Sequence, residues 1–180
     1  MYAADILGGT GKVVSGDLTE EKVQKIRENA VRLGYDNIEY HAGDARVFRK
    51  EWEETADVVL ADLPCSGLGV IGRKCDIKYK TMPEDVESLS IIQRELLKTL
   101  SRYVKPGGRL VYSTCTIARE ENEEMAGWIE EYLPLRRVSI EELLPKPLQG
   151  KTGKKGYVQI LPWEGKVDGF FVAVFEKSIP

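Results

Sequence analysis

Apolar residues in this chain follow two alternating rhythms: short runs of strand length, and stretches where they recur every three or four positions. Lys12-Val13-Val14-Ser15-Gly16-Asp17 reads as a short buried strand ending in an acid. Thr19 stands where a helix cap belongs, with Glu20 and Glu21 in the first turn, where a carboxylate meets the positive end of the helix. Val23, Ile26, Ala30 and Leu33 form the apolar stripe of that helix, and Gly34 closes it. Ile38 to Ala42 is a second strand, followed by Gly43-Asp44, and Asp57 to Ala61 is a third that delivers Asp62. Val86, Leu89, Ile92, Leu96, Leu97, Leu100 and Val104 lie at helical spacing, ending before the turn signal Lys105-Pro106-Gly107-Gly108. Leu110 to Ser113 is a further strand. Glu120 to Leu133 is a helix with Met125, Trp128, Ile129 and Tyr132 on its inner face, ended by Pro134. Phe170 to Phe175 is the last strand, and Gly165 to Gly169 ahead of it is placed to turn a closing hairpin. Such alternation predicts βαβ units, a mainly parallel sheet and an α/β fold, in a single domain over residues 1–180.

Composition narrows the class. Of 180 residues, 42% are hydrophobic and 31% charged, the balance of a globular protein. No apolar run approaches the roughly 18 residues of a membrane span, and the start lacks the basic-then-apolar pattern of a secretion signal. No membrane partner is expected. Three cysteines without disulfide-framework spacing suggest a reducing, cytoplasmic setting. A net charge of −3 gives no global attraction for nucleic acid, so contact with RNA must use local patches. Arg73, Lys74, Lys78 and Lys80 form one such patch and Lys151, Lys154 and Lys155 another, the latter equally readable as a solvated loop.

The chemistry concentrates at strand ends. Open α/β sheets bind ligands outside the carboxyl ends of their strands, which is where Cys65 and Cys115 fall, together with Asp62. A thiolate is a strong nucleophile when positive charge or hydrogen-bond donors lower its pKa, although a free cysteine is also a common buried hydrophobe. Asp17, Asp44 and Asp62 each follow an apolar strand, where a carboxylate can accept from ribose hydroxyls or an exocyclic amine. They can equally be caps and turn formers. His41, the single histidine, reads as structural, and Cys65, Cys75 and Cys115 lack the spacing of zinc ligands, so no metal is expected.

Asp62-Leu63-Pro64-Cys65-Ser66-Gly67, followed by Ser113-Thr114-Cys115-Thr116 and Glu120-Glu121-Asn122-Glu123, closely resembles the NOP/Sun-type RNA cytosine carbon-5 methyltransferases. The likeness is greatest to the bacterial Sun-type enzymes that act on small-subunit (16S) rRNA. It runs from about Gly9 to Phe175 and includes Arg73 to Lys78, Gln93 and Asp168-Gly169-Phe170-Phe171. The resemblance implies a class I, Rossmann-like fold dependent on S-adenosyl-L-methionine. Cys115 would add to carbon 6 of the cytosine, Cys65 would assist removal of the carbon-5 proton, and Asp62 would bond the base. Asp17 would hold the cofactor ribose and Asp44 its adenine amine, with Asp62 beside the cofactor as well. Arg73, Lys74 and Lys78 would position phosphates of the substrate RNA. DNA cytosine methyltransferases place their nucleophile in a Pro-Cys loop, so the two thiols can also be assigned in reverse. Cys75 stands where the family pattern suggests proline.

Nothing before Gly8 supplies the strand and Gly-rich loop that hold the methionine end of the cofactor in this family. The expectation is therefore the C-terminal part of a methyltransferase catalytic domain, weak or inactive alone. It would have unpaired strand edges and a tendency to self-associate through them. The competing reading is a non-catalytic RNA-binding or assembly module that keeps the methyltransferase fold.

Overall fold

The computed structural model describes residues 1–165 and 167–179, and the chain divides into two compact units, Met1–Phe48 and Arg49–Pro180. In the first unit, α1 (Tyr2–Leu7) precedes β1 (Val13–Asp17), α2 (Glu20–Leu33) and β2 (Ile38–Ala42). The strands pair in parallel from Val13↔Ile38 to Asp17↔Ala42, as a helical crossover requires. Ala30 and Val23 bury the inner face of α2, whereas Leu33, predicted on that face, is exposed at the helix end. Gly34 ends α2 in a left-handed conformation at φ 75°, its N–H reaching the carbonyls of Ala30 and Val31.

The second unit carries β3 (Ala56–Asp62), α3 (Ile77–Lys80), α4 (Pro83–Tyr103), β4 (Val104–Thr114), α5 (Glu123–Tyr132), β5 (Leu135–Arg137), β6 (Tyr157–Ile160) and β7 (Phe170–Lys177). The sheet order is β3-β4-β7-β5, and β6 pairs with β7 beside β5. β3 and β4 are parallel, and β7 runs antiparallel to β4. The Gly165–Gly169 stretch does lie in the link between antiparallel β6 and β7, a link that also holds a 3₁₀ turn over Pro162–Glu164. Lys166, inside that stretch, lies outside the described residues.

Leu97, Leu110, Tyr112, Met125, Ile129, Phe171 and Phe175 are fully buried and form one core. Tyr132 departs from the predicted inner face: it is 61% exposed and stacks on half-buried Trp128 at 5.5 Å. The Pro106-Gly107-Gly108 turn sits inside β4 as a bulge, with Gly107 at φ 76° and a register shift against Ala56–Val58. β3 pairs with β4 on one side, and Val58 and Leu60 on it are 54% and 65% exposed.

Candidate active site

Register brings the site together. Asp62 at the end of β3 lies opposite Ser113 near the end of β4, and the Ser113 hydroxyl donates to the Asp62 carboxylate at 3.1 Å. The chains leaving these neighbouring strands carry Cys65 three residues beyond Asp62 and Cys115 two residues beyond Ser113. They run side by side, and the two sulfurs stand 3.4 Å apart. Both thiols are half-buried, whereas Cys75 is exposed.

A close backbone approach fixes the Cys65 loop from the other side. Gly69 donates to the Cys115 carbonyl at 3.0 Å, and Gly169 donates to the Gly69 carbonyl at 2.8 Å. A Cβ at residue 69 would stand 2.4 Å from the Gly169 carbonyl oxygen and 2.8 Å from that of Cys115, so only glycine fits. Gly67 supplies the left-handed turn at φ 70°.

Behind the thiols lies a buried polar network centred on Glu121, which has no exposed surface. Its carboxyl group accepts the Ser66 N–H at 3.0 Å, the Ser66 hydroxyl at 2.5 Å and the Gln93 side-chain amide at 3.0 Å. The same Gln93 amide donates to the Pro64 carbonyl at 2.9 Å. Because Ser66 spends its one hydrogen on Glu121, the 2.7 Å contact with Thr116 must run from the Thr116 hydroxyl to Ser66. The Tyr112 hydroxyl donates to the Glu121 carbonyl at 2.5 Å, and burial with the nearby Glu121 charge raises its pKa well above the usual 10.0, keeping it a neutral donor. Asn122 joins strand ends in the same way: it accepts from Thr114 at 2.6 Å and donates to the Thr116 carbonyl and to Gln159. Acids just before a helix look like first-turn charges in a sequence. The available signal was Gln93, a long polar side chain at helical spacing from Val86, Leu89 and Leu97 on α4, which marks a buried partner.

The two thiols differ in their ties. Burial first, and the Cys115 thiol second, push the Cys65 thiol up to about 12 from an ordinary 9.0. Cys65 therefore holds its proton at neutral pH, and either sulfur can be the donor in the 3.4 Å contact between them.

The remaining predicted residues are placed as follows. In the first unit, Asp17 ends β1 and pairs with Lys22 at 3.3 Å. Asp44 follows β2, and Arg46 grips its carboxylate through the backbone N–H at 2.9 Å and the guanidinium at 2.7 Å. Those bonds hold the Asp44 carboxyl below the usual carboxylate range. In the second unit, Arg73 forms an ion pair with Asp168, Lys78 lies over the Tyr79 ring and Lys74 is exposed. Lys151 pairs with Glu164 at 2.9 Å. Among the described residues, no helix is long and apolar enough to cross a membrane.

The fold is the Rossmann-like α/β fold of S-adenosylmethionine-dependent methyltransferases. The chain belongs to the family described as 16S rRNA methyltransferase RsmB/F, which it matches over residues 1–176. It is 40% identical to the probable ribosomal RNA small subunit methyltransferase B of Bacillus subtilis, over 98% of this chain and 40% of that protein. It is 33% identical to the ribosomal RNA small subunit methyltransferase F of Escherichia coli, over 96% of this chain and 36% of that protein. The solved structure of NSun6 from Pyrococcus horikoshii with SFG shares the fold, with a TM-score of 0.80 at 24% identity, over 99% of this chain and 44% of that one. This chain thus spans about 40% of the length of the curated relatives it matches.

Proposed function

We propose that this chain is the catalytic region of an S-adenosylmethionine-dependent enzyme that methylates carbon 5 of a cytosine in small-subunit rRNA. The supporting observation is the 3.4 Å pair of unlike thiols beside Asp62. The acids suit the cofactor: Asp17 and Asp44 are half-buried carboxylates at strand ends, acceptors of the kind a ribose diol and an adenine amine require. When bound, S-adenosylmethionine would supply carbon 5 with an electrophilic methyl group, its sulfonium sulfur keeping the pair of the broken bond.

The residues of the chain do the rest. Cys115 loses its proton to solvent and, as thiolate, bonds carbon 6, and the C5=C6 electron pair moves onto carbon 5. Asp62, oriented by Ser113, bonds the base near its ring nitrogen and exocyclic amine and stabilises the charge that develops there. Conversion of Cys115 to a thioether removes the lesser cause of the raised Cys65 thiol, and burial, the larger, remains. Cys65 loses its proton to solvent and, as thiolate, takes the hydrogen from carbon 5. The C5=C6 bond re-forms, and the Cys115–C6 pair returns to sulfur. A cytosine must leave its stack to reach the thiols, so unpaired RNA is the expected substrate, with Arg73, Lys74 and Lys78 on its phosphates.

Methyl transfer to a ribosomal RNA fragment, followed with labelled S-adenosylmethionine, tests the reading. Transfer should vanish in Cys115→Ala. Turnover that survives this substitution would show a methyltransferase with different chemistry. The exposed Val58 and Leu60 on β3 further support self-association of this chain through that strand. Sedimentation should show dimers or larger species that dissociate in Leu60→Lys. A monomer at all concentrations would exclude it.

A further inference from the structure

A second recess opens in the Arg49–Pro180 unit, and the chemistry above does not use it. It has a volume of about 820 Å³, within the range of about 300–1,000 Å³ typical of ligand pockets. Its lining adjoins the thiol-bearing segments along the chain: Leu68 follows the Cys65 loop, and Ile117 follows Cys115 by two residues. The facing wall is the first half of α4, where Ser90 and Arg94, four residues apart, project on one side of the helix. Ser90 is 4% exposed, yet its hydroxyl has no hydrogen-bond partner, and neither has the buried Nε–H of Arg94. Both atoms are sealed from solvent, the Arg94 guanidinium lying over the Trp128 ring at 5.8 Å, and two such donors left without a partner beside one recess are uncommon, because each forfeits its bond to water.

Resting on the RNA reading above, we propose that this recess receives an unpaired guanine base next to the target cytosine. The unpartnered donors of Ser90 and Arg94, brought to the recess by rotation of their side chains, match the guanine carbonyl oxygen and ring acceptor. Glu87, Glu120 and Glu124 on the same walls match its ring and exocyclic N–H groups. Those three carboxylates oppose a phosphate, which a single arginine would not outweigh. Met82, Ile91 and Ile117 offer apolar surface to the flat faces of the base. Sequence-specific RNA recognition commonly works this way, on splayed bases read at their edges. Adenine lacks the carbonyl and the ring N–H, so the recess discriminates against it.

Titration of this chain with free guanosine and with adenosine, followed by the NMR signals of the Arg94 Nε–H and the Ser90 amide, tests the assignment without needing turnover. Guanosine should shift both signals saturably and bind at least about fivefold tighter than adenosine. Ser90→Ala and Arg94→Lys should each weaken guanosine binding by about five- to tenfold, the loss of one hydrogen bond. Ser90→Ala should leave thermal stability unchanged or raised, since it removes an unpaired hydroxyl. Equal responses to the two nucleosides, or no shift at these residues, would overturn the proposal and leave the recess to a protein segment. Guanosine binding unaffected by both variants would overturn it too. Methyl transfer without a guanosine response would sink this pocket alone, and a guanosine response without methyl transfer would sink only the catalytic reading.

Discussion

Removing the Glu121 carboxyl group should loosen the Cys65 loop by an amount the network itself sets. In Glu121→Ala the Ser66 N–H and one Gln93 N–H lose their acceptor inside the protein. The Ser66 hydroxyl can turn to Thr116, 2.7 Å away, so it need not be orphaned. Two buried donors at about 1–3 kcal/mol each give a loss of roughly 2–6 kcal/mol. That is a large share of the roughly 5–15 kcal/mol that holds a domain together. Glu121→Gln keeps the shape and one acceptor. Its amide can donate to the Ser66 hydroxyl, which then donates to Thr116, so the cost falls to about 1 kcal/mol, the difference between a charged and a neutral bond. Urea unfolding of the two variants measures both numbers, and alkylation of Cys65 reports whether the loop has opened. Equal losses for the two substitutions, or a loss below about 1 kcal/mol for Glu121→Ala, would refute the view that these donors depend on this carboxyl group.

Other outcomes follow from the same geometry. With its thiol up at about 12, Cys65 carries roughly one thousandth of the thiolate of an ordinary thiol at pH 8. Iodoacetamide should therefore modify exposed Cys75 first, and Cys65 labelling should rise about tenfold per pH unit between pH 8 and 11; a plateau near pH 9 would contradict this. The same raised value means that the folded state keeps a proton that the unfolded chain releases above about pH 9. This contribution to stability is complete at neutral pH and drains away as pH climbs towards 12, as alkaline unfolding should show. Gly69→Ala drives a Cβ into the Gly169 carbonyl, which stands 2.4 Å from that position. It should cost about 1–3 kcal/mol by overpacking and slow methyl transfer by separating the sulfurs, both measurable on one preparation.

The sequence made the strand ends legible because apolar runs of five to seven residues stop abruptly at an acid or a Pro-Cys turn. Parallel register then leaves little freedom in where the next residues go, which is why Cys65 and Cys115 emerge together. The short strands β5 and β6 escaped notice, since they owe their form to pairing with β7 rather than to a pattern of their own. Tyr132 satisfied the helical spacing of an inner face, but it occupies the last position of α5 and stacks outward on Trp128. Glu121 was invisible as a buried acceptor because its partners, Ser66 and Gln93, lie 55 and 28 residues away. The local trace is Gln93 itself, a polar residue on the buried face of α4.

The assignment of unlike roles to the two sulfurs is tested most directly by peptide mapping of the protein–RNA adduct. Cys65→Ala, mixed with S-adenosylmethionine and a cytosine-containing ribosomal RNA fragment, should accumulate a covalent complex that it cannot release. Mass spectrometry should find the nucleotide on the peptide carrying Cys115. A cross-link that instead forms in Cys115→Ala and maps to Cys65 would contradict the account.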